Sequence, residues 1–511
     1  VRTAGWLALG ICLLPGLVLL ALSLGDPGYR EILAKERQVT LFVRSVWISA
    51  AATGLALIWG TLVALGVRSL RGAAGAALEA ISLLPLLLPS IVLVMGWIFF
   101  FGPSGPLQAV GIKWNIFTEW GAAAVMSMVY YPCVSMLLIQ AFRGADASGA
   151  AAARLFASRP RALARIWLPY LAPYLATGGV LVFLLSMNDY AVPSALRVNV
   201  YPVEIFTQLS AYFDVPRAVA FCLPPFLIAA VLIAARRLLV PPIPESIGGR
   251  SRVYDAPRSK GWFLAALPVI AAAVVLPLNT LFATQGSFRS LREALSIAGE
   301  QALASLAISS YATIALVGFG LVLALAMRRS GRKSRLGMEM LTAATLIVPG
   351  AVVGLGIVVM HTRGWIPASI YRSPASLDYA MLCRFVVFPA FILSASLSAI
   401  RPRMIEAADS AGVPRVRSAL RIAAPLALPG LVAAATLSFV MCLGELSASA
   451  LVNPPGQMTL AMRIASLLHF GEDRIVASLC LTLSALVVGV LVLGLLALNR
   501  RLEFRLDANR T

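Results

Sequence analysis

Charge is scarce in this chain: of 511 residues, only 13% are Asp, Glu, Lys or Arg, and acidic residues number 22 against 42 basic ones. A water-soluble chain of this length would need a far larger charged surface, so that class is excluded. Histidine is almost absent. His361 and His469 are the only two, far apart and both outside the apolar runs, which removes a histidine-built metal site within those runs. The six cysteines (Cys12, Cys133, Cys222, Cys383, Cys442 and Cys480) all fall inside apolar runs, and none forms a C-x-x-C pair, so they read as small core residues. No G-x-x-x-x-G-K-[ST] stretch occurs, so the chain lacks the usual cradle for nucleotide phosphates.

Apolar residues make up 60% of the sequence, and the mean hydropathy is +0.88. They are gathered into blocks of about 20 residues, the length that crosses a bilayer core of about 30 Å at 1.5 Å per residue. Twelve such blocks are present: Trp6–Leu24, Val46–Val67, Ala80–Phe101, Gly121–Ala141, Leu171–Val192, Val219–Ala235, Trp262–Ala283, Leu303–Met327, Met340–Met360, Tyr379–Ile400, Leu426–Ala448 and Ile475–Leu498. The expected fold class is all-α, a polytopic membrane protein of about twelve transmembrane helices. No small-residue cleavage site follows the first block, which therefore reads as a retained helix rather than a signal peptide.

The net charge of +20 invites a nucleic-acid reading, but the placement of the charges points elsewhere. Most basic residues fall in alternate connections, in groups such as Arg154, Arg159, Arg161 and Arg165, or Arg328, Arg329, Arg332, Lys333 and Arg335. That bias marks the cytoplasmic side and places both termini there. The partner it implies is membrane lipid, with no nucleic acid.

Residues 240–260 carry Pro241, Pro242, Pro244, Gly248 and Gly249 among several charges and read as a cytoplasmic linker. It separates two six-helix halves, 1–239 and 261–511. The halves repeat: Leu168-Pro169 recurs as Ala424-Pro425 and Asp189 as Glu445, both at a spacing of 256, while Pro89 and Gly96 recur as Pro349 and Gly356 at 260. An even number of helices per half gives both copies the same orientation in the membrane. Pro89 with Gly96 and Pro349 with Gly356 are open to two readings, bend points with close helix approach or plain packing, and plain packing is the favoured one.

Between the tenth and eleventh blocks the sequence reads Glu406-Ala407-Ala408, then Gly412, Ile422 and Pro425. Glu406 to Ala411 favours a short helix, Gly412 permits a change of direction, and Pro414 suits the first turn of a second helical piece. This run resembles the EAA loop of bacterial ABC importer permeases, with Ala424 in place of a leucine. With the two-by-six organisation and the segments Leu443-Gly444-Glu445-Leu446-Ser447 and Asn453-Pro454-Pro455-Gly456, the chain resembles the fused permeases of the ferric-iron, thiamine and polyamine importers.

The resemblance implies the type I ABC importer permease fold, a place in the bacterial inner membrane, and no enzymatic activity or cofactor in this chain. ATP is used by a separate subunit, present in two copies, and a periplasmic binding protein delivers the solute. Glu406, Ala407, Ala408, Gly412 and Pro425 would couple to the ATPase. In the first half the pattern is weaker: Ala150 stands at the Glu position, with Ala151, Ser158 and Pro169 at matching places, and Asp146, one helical turn from Ala150, is the available substitute carboxylate. Ferric iron is the first expectation for the solute, with thiamine, a polyamine or a phosphonate as alternatives.

Asp189 and Glu445 lie at matching positions near the outer ends of the fifth and eleventh blocks. Each either lines a pathway or anchors locally, and Arg384, at similar depth to Glu445, is a rival partner for it. A twelve-helix facilitator-type secondary transporter is the alternative function. It would carry a G-x-x-x-D-R-x-G-R-R-like run where this chain has Arg68-Ser69-Leu70-Arg71-Gly72, and it leaves the run from Glu406 to Pro425 without a purpose.

Overall fold

A computed structural model describes the chain except for residues 26–34, 71, 103–104, 110, 112, 145–160, 162, 213, 242–259, 399, 401–409, 411–423, 455, 469–471 and 509–511. Among the described residues every regular element is helical. Among the same described residues, ten helices are long and apolar enough to cross a membrane, and the number rises to 12 if each of two bent pairs counts as one span. The all-helical polytopic fold expected from the blocks is the fold observed.

The first half contains α1 (Arg2–Gly25), α2 (Glu36–Arg68), α3 (Gly72–Leu87), α4 (Ser90–Phe101), α5 (Glu119–Gly144), α6 (Leu168–Met187), α7 (Ala191–Ala195), α8 (Tyr201–Ser210), α9 (Val215–Ala220) and α10 (Leu223–Leu239). The second contains α11 (Lys260–Ile270), continued through a π-helical turn at Ala271–Val275 into α12 (Leu276–Gln285), then α13 (Phe288–Arg328), α14 (Arg332–Ile347), α15 (Gly350–Thr362), α16 (Ala375–Phe385), α17 (Val387–Ser398), α18 (Ala424–Leu443), α19 (Ser449–Val452), α20 (Leu460–Leu467) and α21 (Asp473–Ala508).

Prolines set several of the breaks. Pro89 and Pro349 each stand at the N-cap of a helix in extended backbone geometry, ending α3 and α14 and starting α4 and α15. The missing N–H costs nothing at a helix start and would cost a hydrogen bond in a helix interior. In the second half the resulting bend is 95°. Continuous runs in the sequence at 80–101 and 340–360 are therefore broken helices. The run at 379–400 is also bent, by 55°, at Val386 between α16 and α17.

The compact units of the fold do not coincide with the sequence halves. One unit comprises residues 1–30, 205–222 and 287–511, the other residues 31–204 and 223–286. In the first unit, Ala8, Leu9 and Cys12 of α1 share a buried cluster with Ile308, Ala312 and Leu316 of α13 and with Met381 of α16. In the second, Ala266, Val269 and Ala273 share a cluster with Val63 and Ala64 of α2 and with Val134 and Leu138 of α5. The opening helix of each half thus packs with the body of the other half.

Small residues permit these contacts. A Cβ placed on Gly356 would lie 2.5 Å from the Pro15 carbonyl oxygen, and one on Gly96 would lie 2.5 Å from Pro277 Cβ. Gly5 against Ala326 and Gly66 against Ala266 form a second matched pair of close approaches. Hydrocarbon is as apolar as leucine, so helices in a bilayer associate through close packing of this kind rather than through escape from water.

Candidate functional site

In the first half, α6 ends at Met187, where Asn188 and Asp189 interrupt the apolar run and α7 begins two residues later. Asp189 is buried. Its Oδ1 accepts the backbone N–H of Val192 at 3.1 Å, and Tyr130 on α5 donates its hydroxyl to Oδ2 at 2.6 Å. The carboxylate thus acts as a cap, satisfying a backbone donor exposed by the break.

The second half repeats the device with a different partner. Beyond the end of α18 at Leu443, buried Glu445 accepts the N–H of Ala448 at 2.6 Å through Oε1, and Arg384 Nη1 lies 2.7 Å from both carboxylate oxygens. The two caps share one arrangement, a carboxylate accepting the N–H three residues on, but tyrosine balances one and arginine the other. Arg384 reaches its position because Gly350, at the start of α15, has no Cβ; its guanidinium occupies that space. The Arg384 side chain is 19% exposed and that of Glu445 is 2% exposed, so the pair is largely desolvated and neither charge is stable without the other.

A further matched pair lies beside these breaks. Ser45 Oγ on α2 accepts the N–H of Tyr201 at 2.9 Å, and Ser305 Oγ on α13 accepts the N–H of Leu460 at 2.7 Å. Each serine fixes the first residue of a short helix, α8 or α20. Sequence reasoning passed over both; the signal was a serine recurring at the 260 spacing, Ser45 just before one apolar run and Ser305 near the start of another.

Toward the other end of the helices, the described residues bracket the expected coupling loops. Glu406, Ala407, Ala408, Gly412, Asp146, Ala150, Ala151 and Ser158 lie outside the described residues. Pro169 and Pro425 are described, exposed, and stand second in α6 and α18. The other root of each loop is held by arginine. Arg328, at the end of α13, donates from Nη1 to the Leu397 carbonyl at 2.7 Å and from Nη2 to Ile400 at 3.4 Å; Arg68, at the end of α2, donates to the Phe142 carbonyl at 3.2 Å. A cation at a helix C-terminus satisfies orphan carbonyls and complements the helix dipole. In the sequence these two arginines carried only a topological meaning.

Among the described residues, no three His, Cys, Asp or Glu side chains are grouped to hold a metal ion. All six cysteines are buried and unpaired.

The sequence matches the family described as the binding-protein-dependent transport system inner membrane component, over residues 56–208 and again over 316–506. The chain belongs to that family. The two matches start at the same 260-residue spacing that relates Pro89 to Pro349. One match contains Arg68, Tyr130 and Asp189, the other Arg328, Arg384 and Glu445. This member of the binding-protein-dependent family therefore carries the family unit twice.

Individual relatives align with less than half of it. The 2-aminoethylphosphonate transport system permease protein PhnV of Salmonella paratyphi A is 30% identical over 203 residues, 39% of this chain and 74% of the relative. The molybdenum transport system permease protein ModB of Mycobacterium tuberculosis is 28% identical over 228 residues, 42% of this chain and 85% of the relative. ModB of Escherichia coli is 28% identical over 200 residues, 36% and 87%.

Proposed function

We propose that this chain forms the membrane pathway of a binding-protein-dependent ABC importer in a bacterial inner membrane. One copy stands on two copies of a separate ATPase subunit, and the solute arrives from a periplasmic binding protein. The observation that carries the reading is the duplicated family match, with the same pairs of structural ties in each copy. Membership of this family leaves no place for the facilitator-type alternative. ATP closure of the motor subunits would act on the loops that precede Pro169 and Pro425, held at their other ends by Arg68 and Arg328.

The solute class we favour is a small phosphonate, one of the alternatives open from the sequence. The support is the aligned phosphonate permease together with the state of the two carboxylates. Ferric iron would call for free carboxylate oxygens, whereas those of Asp189 and Glu445 already accept hydrogen bonds from Tyr130, Val192, Arg384 and Ala448. These residues serve better as caps of broken helices than as ligands for a cation.

The test is reconstitution. Proteoliposomes holding the chain, its ATPase and its binding protein should take up 2-aminoethylphosphonate only with internal ATP. The purified complex should contain two ATPase subunits per chain. Uptake driven by an ion gradient with ATP depleted would overturn the transporter class, and uptake of ferric iron but no phosphonate would overturn the solute.

A further inference from the structure

The connection from α15 to α16 holds an apolar groove of about 220 Å³, lined by Ile357, Met360, Trp365, Ile370, Ala375 and Tyr379 among others. It lies wholly within one compact unit. The segment stands at the opposite end of the bent span Ala375–Ser398 from the connection that carries Glu406, which puts it at the other membrane interface. Trp365 is 57% exposed, as suits an indole at the boundary between hydrocarbon and headgroups. His361 stacks on Tyr371 with ring centroids 4.0 Å apart, and its Nδ1 lies 2.9 Å from the Ile366 carbonyl, so the rim of the groove is built rather than loose.

Two cations stand close in the chain to the lining residues, Arg363 two before Trp365 and Arg372 two after Ile370. Arg363 follows α15 and Arg372 follows the single helical turn Ala368–Tyr371; both are exposed, and among the described residues neither has a carboxylate partner. The only acidic residue between 350 and 400 is Asp378, inside the span. At the corresponding connection of the first half, by contrast, Glu119 is taken up in an ion pair with Arg44 at 2.8 Å. An apolar groove with two arginines next to its lining and no carboxylate partner for either among the described residues has the chemistry of an anionic phospholipid: an acyl chain for the groove and a phosphodiester for the guanidinium groups.

We propose that this groove is a specific site for an anionic phospholipid, with one acyl chain against Trp365 and Ile370 and the headgroup phosphate between Arg363 and Arg372. The site rests on the chain spanning a membrane and not on the solute it carries.

Native mass spectrometry of the purified chain, titrated with phosphatidylglycerol or phosphatidylcholine of the same acyl composition, tests it. Phosphatidylglycerol should be retained preferentially. Each arginine at an anionic headgroup contributes about fivefold, so Arg363→Gln/Arg372→Gln should remove nearly all of the preference without altering the fold. Ala375→Phe, which fills the groove, should weaken both lipids. Equal retention of the two lipids by the unaltered chain, or an unchanged preference in the double variant, overturns the proposal. So does inorganic phosphate binding at the same arginines as tightly as the lipid, which would make this a free-phosphate site.

Discussion

Arg384 Nη1 lies 2.7 Å from both carboxylate oxygens of Glu445, in the space left by the missing Cβ of Gly350. Removing one partner of a buried pair strands the other charge, at a cost of about 3–5 kcal/mol in soluble proteins. Arg384→Met should therefore lower the thermal unfolding temperature clearly in detergent, while Arg384→Met/Glu445→Gln recovers most of the loss. A double variant no more stable than the single one would show that the charges are not coupled.

Tyr130 offers Asp189 a hydrogen bond from an uncharged hydroxyl in the corresponding place. Such bonds between membrane helices average about 0.6 kcal/mol and reach about 1.7. Tyr130→Phe should consequently cost much less than Arg384→Met in the same unfolding assay. Equal losses would contradict the different balancing of the two caps.

Gly356 and Gly96 accept Pro15 and Pro277 at distances no side chain would allow. Gly356→Leu forces apart α1 and α15, and overpacking of this kind costs about 1–3 kcal/mol. The expected result is a reduced yield of monodisperse protein. Gly489→Leu is the control, because a Cβ there meets nothing within 4 Å; it should behave as the parent does.

Arg328 ties the end of α13 to the carbonyls of Leu397 and Ile400, where the chain leaves for the second loop. Arg328→Met should preserve ATPase binding but lower transport per ATP hydrolysed. Arg335→Met, which breaks only an exposed pair with Glu339, should leave both unchanged. Matching losses in the two variants would point to surface charge rather than to the tie.

The loop itself is open to a separate test. Glu406→Arg or Gly412→Pro should leave insertion intact and uncouple the ATPase, measured as hydrolysis that no longer responds to the loaded binding protein. Normal transport with full ATPase binding in either variant would remove the role proposed for this segment.

Much of the fold could be read from the residues because lipid imposes a length on every apolar run. Hydropathy alone thus yielded about twelve spans, and recurring prolines, glycines and acids revealed the duplication. Proline chemistry allowed a break at Pro89 and Pro349 but favoured plain packing there, and the structure decided for the break. Where the apolar run continued through polar residues, length misled: the fifth and eleventh blocks read as unbroken to Val192 and Ala448, yet α6 and α18 end at Met187 and Leu443. Asp189 and Glu445 each cap a break, which the length of an apolar block does not register.

The sequence by itself determined that this chain lives in a membrane and that it is two copies of one unit, and it placed a run resembling a coupling loop before Pro425. Tertiary structure alone decided that α1 packs with the body of the second half, that Glu445 pairs with Arg384 61 positions earlier, and that Arg328 holds the root of a loop. Hydropathy is a property of neighbouring residues along the chain. In a bilayer, helix-facing and lipid-facing sides are equally apolar, so the choice of neighbour rests on shape and on a few buried polar atoms.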